Sequence, residues 1–255
     1  MSGGLTPAAG ALWVVVPVYN EGSAVESVLR EWTTAVDVSV PDAILCVVDD
    51  GSSDETPAVL ARLAASLPGL RVLAQANAGH GQACLSGYRA ALEGGAGWVL
   101  QIDSDGQCDP QYFEAVWKKR TEHASIFGKR VDRDDGAARK VISWFCRVAT
   151  HIATGVPVRD PNVPYRLMRA DVLKPAIADF PQDFGLSNIL VSVVLQKGLG
   201  PKMGFVPIGF RDRTGGEPSV KWMKFVTEGW KLYSALMTKR PYISARAAEV
   251  AKAAG

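Results

Sequence analysis

The residues best suited to chemistry in this sequence are Asp103 and Asp105, two aspartates separated by one residue after a short apolar run. Two carboxylates at this spacing can converge on one hard cation that also binds phosphate oxygens. A second acidic cluster, 49–54, and the polar pair Asn20 and Glu21 follow two other apolar runs. One acidic pair alone could simply stabilise a turn, but three such polar ends in one sheet indicate a nucleotide site.

The elements that must position these side chains alternate along the chain. Short apolar runs rich in β-branched residues predict strands at 12–18, 43–48, 70–73 and 98–102. Helical patterns lie between them, at 23–36, 55–67 and 81–92. This alternation predicts an α/β fold with a mostly parallel central sheet flanked by helices, its strands buried on both faces. Ligands bind beyond the carboxyl ends of such strands, which is where the polar residues lie.

The composition limits the classes of protein to consider. The chain has 255 residues, 47% hydrophobic and 21% charged, with a net charge of +2, so we expect one domain and no nucleic-acid partner. Neither a signal peptide nor a membrane-spanning run is expected, which predicts a soluble or peripheral protein. The spacing of the cysteines fits neither a zinc site nor a disulfide scaffold and predicts buried thiols in a reducing cytoplasm, at Cys46, Cys84, Cys108 and Cys146.

Several sequence blocks together carry a family resemblance. The blocks are VVVPVYNE at 14–21, VVDDGSSDET at 47–56, NAGHGQA at 77–83, QIDSDGQ at 101–107 and DPNVPYRLM at 160–168. They resemble the motifs of family 2 glycosyltransferases of the GT-A fold, the Rossmann-like fold of nucleotide-diphospho-sugar transferases. Within that family the chain is similar to the dolichyl- and polyprenyl-phosphate sugar synthases.

This resemblance implies a role for each matching residue. It implies a nucleotide-sugar donor bound by Pro17, Tyr19, Asn20, Glu21, Asp49, Asp50, Asn77, His80, Gly81, Gln82, Asp103, Ser104 and Asp105. It implies a Mg²⁺ or Mn²⁺ ion held by Asp103, Asp105 and Gln107. The implied phosphate-binding residues are Arg130, Arg139, Ser143, Arg213 and Ser219, and guanidinium groups suit phosphate geometry. From the residues alone, the basic segment 130–140 could instead be a solvated loop face, and His80 could be a helix cap.

The resemblance also implies one GT-A domain over residues 1–240, with 241–255 as a tail. Its donor-binding half covers about 10–108, its acceptor-side half about 109–220, and an amphipathic helix about 219–238. That helix carries Trp222, Trp230 and Tyr233 on one face and lysines on the other. Such a helix fits a membrane interface near a lipid acceptor. The alternative is a helix that packs on its own domain or on a second copy in a homo-oligomer.

The expected reaction is an inverting, metal-dependent hexosyl transfer with Asp105 as a catalytic residue. A hydroxyl acceptor needs a carboxylate base to take its proton, whereas a phosphate acceptor does not. In the stretch 182–188 the one candidate base is Asp183. This shortage of acidic residues favours a polyprenyl-phosphate acceptor at the cytoplasmic face of the membrane. The alternatives are a soluble small-molecule acceptor and an inactive nucleotide-sugar-binding scaffold, although the intact metal motif argues against the scaffold.

Overall fold

The structure is a computed structural model that describes residues 10–22, 24–131, 148, 150–158, 163–181, 184, 186–211 and 233–255. The strands are β1 (Ala11–Val18), β2 (Ile44–Asp49), β3 (Leu70–Ala74), β4 (Ala96–Gln101), β5 (Ser125–Arg130), β6 (Arg166–Arg169) and β7 (Met203–Ile208). The helices are α1 (Ala24–Asp37), α2 (Thr56–Ser66), α3 (His80–Glu93), α4 (Phe113–Lys118), α5 (Ala170–Ile177), α6 (Ser187–Leu199) and α7 (Arg240–Ala253). The first four strands and first three helices confirm the sequence pattern.

The strands form one seven-stranded sheet in the order β3-β2-β1-β4-β6-β5-β7. β6 is antiparallel to both of its neighbours, and the other pairings are parallel. The mostly parallel sheet predicted from the sequence is therefore confirmed. Because Gln101 at the end of β4 pairs with Arg166 at the start of β6, the antiparallel strand begins at the same edge where β1, β2 and β4 end.

Burial differs between the centre and the edge of this sheet. Residues 12–18 of β1 and all residues of β4 are buried, as expected for strands covered by helices on both faces. β3 lies at the edge, and along it Leu70 is buried whereas Leu73 and Ala74 are exposed. The expectation of burial on both faces is therefore wrong for β3, because an edge strand has less of the protein around it.

Glycines let helix α3 approach its neighbours closely. A Cβ atom added at Gly87 would lie 2.3 Å from Cγ1 of Val15, so α3 rests directly on β1. A Cβ atom at Gly81 would lie 2.9 Å from Oγ of Ser187, so the first turn of α3 also meets the first turn of α6. This packing places the start of both helices at the edge of the sheet that carries the polar residues.

The C-terminal segment forms a helix that was not predicted from the sequence. Residues 241–255, expected as a tail, lie mostly in α7, which buries Ile243, Ala247 and Val250. Ile243 and Val250 belong to the hydrophobic core. The amphipathic helix expected at 219–238 lies largely outside the described residues. At its end, Leu236 is buried in the core. Among the described helices, none has the length and apolar character needed to cross a membrane.

Candidate functional site

The loops after β1 and β2 are joined by hydrogen bonds into one surface. Asn20 has a left-handed backbone, with φ of 51°, which asparagine tolerates better than most residues. Its backbone N–H donates to Oγ of Ser52 at 2.9 Å, and Ser53 N–H donates to Oδ1 of Asn20 at 2.8 Å. Tyr19, which is 49% exposed, stands beside this junction. An aromatic ring above a polar loop can bind a planar ligand such as a nucleotide base.

Asp50 holds the loop that leads into α3. Its side chain is 2% exposed, and its Oδ1 accepts hydrogen bonds from Nε2 of Gln75 at 2.6 Å and from Ala78 N–H at 2.9 Å. Its Oδ2 accepts from Gly79 N–H at 2.8 Å. The neighbouring Asp49 is also buried, and its Oδ1 accepts from Ser52 N–H at 3.0 Å. Both buried aspartates therefore lie beneath the surface formed by the β1 and β2 loops and hold the loop backbone in place.

Asp103 lies just beyond the end of β4 and is held by two donors. Its Oδ1 accepts from Nε2 of His80 at 2.9 Å and from Nε2 of Gln101 at 3.0 Å. Within the described part of the chain, its Oδ2 has no hydrogen-bond partner. The neighbouring Cys84 and the hydrogen bond to the Asp103 carboxylate raise the pKa of His80 above its ordinary value, although burial acts in the opposite direction. The hydrogen bonds from His80 and Gln101 therefore hold the Asp103 carboxylate in place through its Oδ1 atom.

The remainder of the acidic motif is tied to the β1 loop and to the segment after β7. Oγ of Ser104 donates to Oε1 of Glu21 at 3.3 Å, and Oδ1 of Asp105 accepts from Gln107 N–H at 3.1 Å. Nε2 of Gln107 donates to the carbonyl oxygen of Arg211 at 3.3 Å, and Arg211 N–H donates to the carbonyl oxygen of Gln107 at 3.1 Å. Hydrogen bonds to the β1 loop and to the segment after β7 therefore hold the motif in place.

The side chain of Arg211 also forms ion pairs in this region. Its guanidinium lies 2.7 Å from Oδ1 of Asp109 and 2.8 Å from Oε1 of Glu31 on α1. Burial alone would raise the pKa of Asp109, but hydrogen bonds from Arg211 and Gln111 outweigh it and hold that pKa below its usual value. The ion pairs connect the segment after β7 to α1.

Arg130 contributes positive charge at the same edge of the sheet. It is the last residue of β5, and its guanidinium carbon lies 4.4 Å from the centroid of the Phe210 ring. A guanidinium stacked on an aromatic face is held in one plane and can still bind phosphate.

Of the other predicted residues, some lie at this edge and others are not described. Pro17 is buried in β1, Asn77 is exposed in the loop before α3, and Gly81 and Gln82 lie in the first turn of α3. The residues outside the described part are Asp183, Arg139, Ser143, Arg213 and Ser219.

Four buried polar residues near the site were not assigned a function from the sequence: Tyr88, Gln101, Arg166 and Asn188. The Tyr88 hydroxyl donates to Oε1 of Gln101 at 3.3 Å. Nη1 of the fully buried Arg166 donates to the carbonyl oxygen of Asn188 at 2.9 Å. The one sequence signal for such residues is a polar side chain inside an apolar run, as at Gln101.

The donor set fits a hard divalent cation. Asp103 and Asp105 offer carboxylate oxygens and Gln107 an amide oxygen, the ligand type that Mg²⁺ and Mn²⁺ prefer. No group of three or more His, Cys, Asp or Glu side chains that could hold a metal occurs among the residues that the structure describes. Water or oxygens of a bound substrate would complete the coordination of a cation held by these three side chains, as is common for Mg²⁺.

Comparison with known protein sequences gives a consistent assignment. Residues 13–182 match the model of the family described as Glycosyl transferase family 2. The undecaprenyl-phosphate mannosyltransferase of Micrococcus luteus is 30% identical over 209 residues, which cover 80% of this chain and 84% of the relative. An undecaprenyl-phosphate 4-deoxy-4-formamido-L-arabinose transferase of Enterobacter sp. is 26% identical, over 88% of this chain and 67% of the relative. The resemblance to polyprenyl-phosphate sugar synthases is confirmed.

Solved structures show the same fold. Glucosyl-3-phosphoglycerate synthase from Mycobacterium tuberculosis, in complex with Mn²⁺, UDP-glucose and phosphoglyceric acid, superposes with a TM-score of 0.66 at 19% identity, over 91% of this chain and 80% of that chain. A mannosyltransferase from Pyrobaculum calidifontis, in complex with GDP-Man and Mn²⁺, gives 0.62 at 17% identity, over 96% and 73%. The predicted GT-A fold is therefore confirmed.

Proposed function

The chain belongs to glycosyl transferase family 2, and we propose that it transfers a sugar, with inversion, from a nucleotide-diphosphate sugar to a polyprenyl phosphate. The observation that carries the proposal is the position of Asp103 and Asp105 at the carboxyl end of β4, beside the joined loops of β1 and β2. Both bacterial relatives described above are named as undecaprenyl-phosphate sugar transferases, which supports the acceptor class.

The donor is assigned to the surface formed by the β1 and β2 loops. Tyr19 and Asn20 border that surface, and its floor is set by the buried carboxylates Asp49 and Asp50. Because both oxygens of Asp50 are occupied by the 75–79 loop, Asp50 supports donor binding by holding this loop in place.

The leaving diphosphate is assigned to the end of β4. A bound Mg²⁺ or Mn²⁺ supplies positive charge that offsets the charge growing on the leaving group. Asp103, Asp105 and Gln107 would hold that ion. Arg130 places a second positive charge at the same edge, and Arg139, Ser143, Arg213 and Ser219 are proposed to complete the phosphate-binding set.

The acceptor is proposed to be a phosphate because it is already ionised and needs no base. A hydroxyl acceptor would need one, and Asp183 would be the first residue to test. The apolar face of 219–238 is proposed to contact the membrane or the lipid chain, although Leu236 near its end packs into the core.

A donor and acceptor screen tests the proposal. Nucleotide sugars are incubated with Mn²⁺ and the protein, and metal-dependent hydrolysis and thermal stabilisation identify the donor without any acceptor. Undecaprenyl phosphate and a soluble phosphate such as phosphoglycerate are then compared as acceptors. Product on the lipid supports the proposal. Product on the soluble phosphate alone would transfer the assignment to a small-molecule acceptor, and binding without turnover would indicate a scaffold.

Two variants separate acceptor binding from donor chemistry. Arg139→Ala is expected to raise the KM for the lipid phosphate while metal-dependent donor hydrolysis is largely retained, because only the acceptor loses a partner. Trp230→Ser is expected to weaken sedimentation with anionic liposomes, since an aromatic side chain contributes about 1.5–3 kcal/mol when buried. If Trp230→Ser instead lowers the melting temperature and the wild type does not sediment, the helix packs on its own domain.

A further inference from the structure

A continuous chain of polar contacts lies behind the acidic motif and crosses from the donor half to α6. The Tyr88 hydroxyl donates to Gln101, and Nε2 of Gln101 donates to Oδ1 of Asp103. Nε2 of His80 reaches the same Oδ1 at 2.9 Å, and the Asn188 side-chain amide lies 3.4 Å from Nδ1 of His80. Asp103 is thus linked through one imidazole ring to the second residue of α6.

The chemistry of these groups fixes how the ring must be oriented. An ionised carboxylate can only accept hydrogen bonds, so His80 presents Nε2–H to Asp103 in either protonation state. Nδ1 is the remaining ring nitrogen, and it lies 3.9 Å from Sγ of Cys84 in the same helix and 3.4 Å from Nδ2 of Asn188. Asn188 can form a hydrogen bond with Nδ1 in both protonation states. Its NH₂ group donates to a neutral ring, and its oxygen accepts from a protonated ring after the amide rotates by half a turn.

Burial and backbone contacts hold Asn188 in place. Its side chain is 5% exposed, so the surrounding packing restricts the amide, and among the described residues its Oδ1 is buried without a hydrogen-bond partner. Its carbonyl oxygen accepts from Nη1 of Arg166 at 2.9 Å and from Oγ of Ser192 at 2.8 Å. The close contact of Gly81 with Ser187 keeps the two helix starts together.

We propose that Asn188 is a positioning residue for the cation site: it orients the imidazole of His80, which in turn orients the Asp103 carboxylate. This inference rests on the proposed function, because it assumes that Asp103 binds the cation. Hydrogen-bonded partners behind a metal ligand typically change metal affinity about 10–100-fold. The contact therefore couples the start of α6, on the acceptor side, to the metal motif on the donor side.

Binding of Mn²⁺ alone, followed by loss of the electron paramagnetic resonance signal of the free ion, tests the chain of contacts. Asn188→Ala and His80→Ala are each expected to weaken binding about tenfold, and the double variant to bind no more weakly than His80→Ala. Independent, multiplying losses would overturn the proposal, as would unchanged affinity in Asn188→Ala. Ser192→Ala is the matched control: it removes a bond to the Asn188 backbone in the same helix and is expected to leave Mn²⁺ affinity unchanged.

A pair of conservative variants gives a readout that a purely structural role would not move. The amide nitrogen of glutamine can take the place of Nε2 of His80, whereas asparagine is one bond too short. His80→Gln is therefore expected to bind Mn²⁺ more tightly than His80→Asn. Equal affinities would contradict a positioning role for the ring.

The ligand-free protein provides a test that does not depend on the metal. In nuclear magnetic resonance spectra recorded at low temperature, the hydrogen-bonded Nε2–H proton of the half-exposed His80 ring is expected to give a sharper signal in the wild type than in Asn188→Ala. An unchanged signal would refute the role of Asn188. If instead the wild type and Asp105→Ala bind Mn²⁺ equally weakly, the proposed cation site fails, and the proton signal still decides whether Asn188 orients the ring.

Discussion

Replacing Asp50 by asparagine tests whether this residue holds the donor surface or touches the donor. The carboxylate accepts three hydrogen bonds from the 75–79 loop, two through Oδ1 and one through Oδ2. Asparagine has nearly the same shape but offers one acceptor oxygen. Its NH₂ group would face Gly79 N–H, so a donor would meet a donor.

The expected loss of stability follows from these contacts. Hydrogen bonds to a charged group contribute about 1 kcal/mol more than neutral ones, so the two bonds kept on Oδ1 weaken by about 1 kcal/mol each. The unpaired N–H of Gly79 adds about 1 kcal/mol, at the low end of the usual range because water can reach this exposed residue. The free energy of unfolding should fall by about 3 kcal/mol, which lowers the melting temperature by about 6–12 °C for a chain of this size.

Thermal melts and urea titrations without any nucleotide measure this loss, and donor KM is measured in parallel. Asp42→Asn is the control, because Asp42 is exposed and has a left-handed backbone, with φ of 71°, that asparagine adopts readily. A melting temperature unchanged by Asp50→Asn, together with a raised donor KM, would refute the loop-holding role and indicate direct contact with the donor.

Three further changes test other parts of the site. Gly81→Ala should lower the free energy of unfolding, measured in urea, by about 1–3 kcal/mol, because the new Cβ would meet Ser187. Helix propensity alone predicts an increase of about 1 kcal/mol, so an increase would contradict the close contact between α3 and α6. Arg211→Ala should lower the free energy of unfolding by about 1 kcal/mol at neutral pH. Because the pKa of Asp109 is lowered in the fold, this difference should persist above pH 3.8 and shrink below it. A difference that stays constant down to pH 2 would exclude the ion pair. Asp105→Ala should lower turnover at least about a hundredfold with an unchanged melting temperature, and near-normal turnover would leave the motif as a turn.

The local pattern was enough to predict the first half of the fold. Apolar runs and helical periodicity located β1 to β4 and α1 to α3, and the polar residues after the strands do meet at one edge. The pairing of Gln101 with Arg166 could not be predicted in the same way, because it joins residues far apart in sequence and depends on the neighbours that each strand finds. The exposure of β3 has the same cause, since its edge position is set by the whole sheet.

The site was predicted as a set of residue types, but not the way its members support one another. Motifs assigned Asp50, His80 and Asp103 to the candidate site, but they did not indicate that Asp50 bonds to Ala78 N–H or that His80 bonds to Asp103. Asn188 lies in the stretch 182–188 but received no role from the sequence, because its contact with His80 arises from the packing of α6 on α3. A hydrogen bond between two elements that are distant in sequence leaves no local pattern.

The most direct test of the account is transfer of a labelled sugar from its nucleotide donor to undecaprenyl phosphate by the full chain with Mn²⁺. The account predicts label in the extracted lipid with the wild type, and loss of that label both in excess EDTA and with Asp105→Asn. Undiminished transfer in EDTA would contradict the cation site at Asp103 and Asp105. Absence of lipid label, while a water-soluble acceptor is labelled in the same assay, would contradict the lipid-phosphate acceptor.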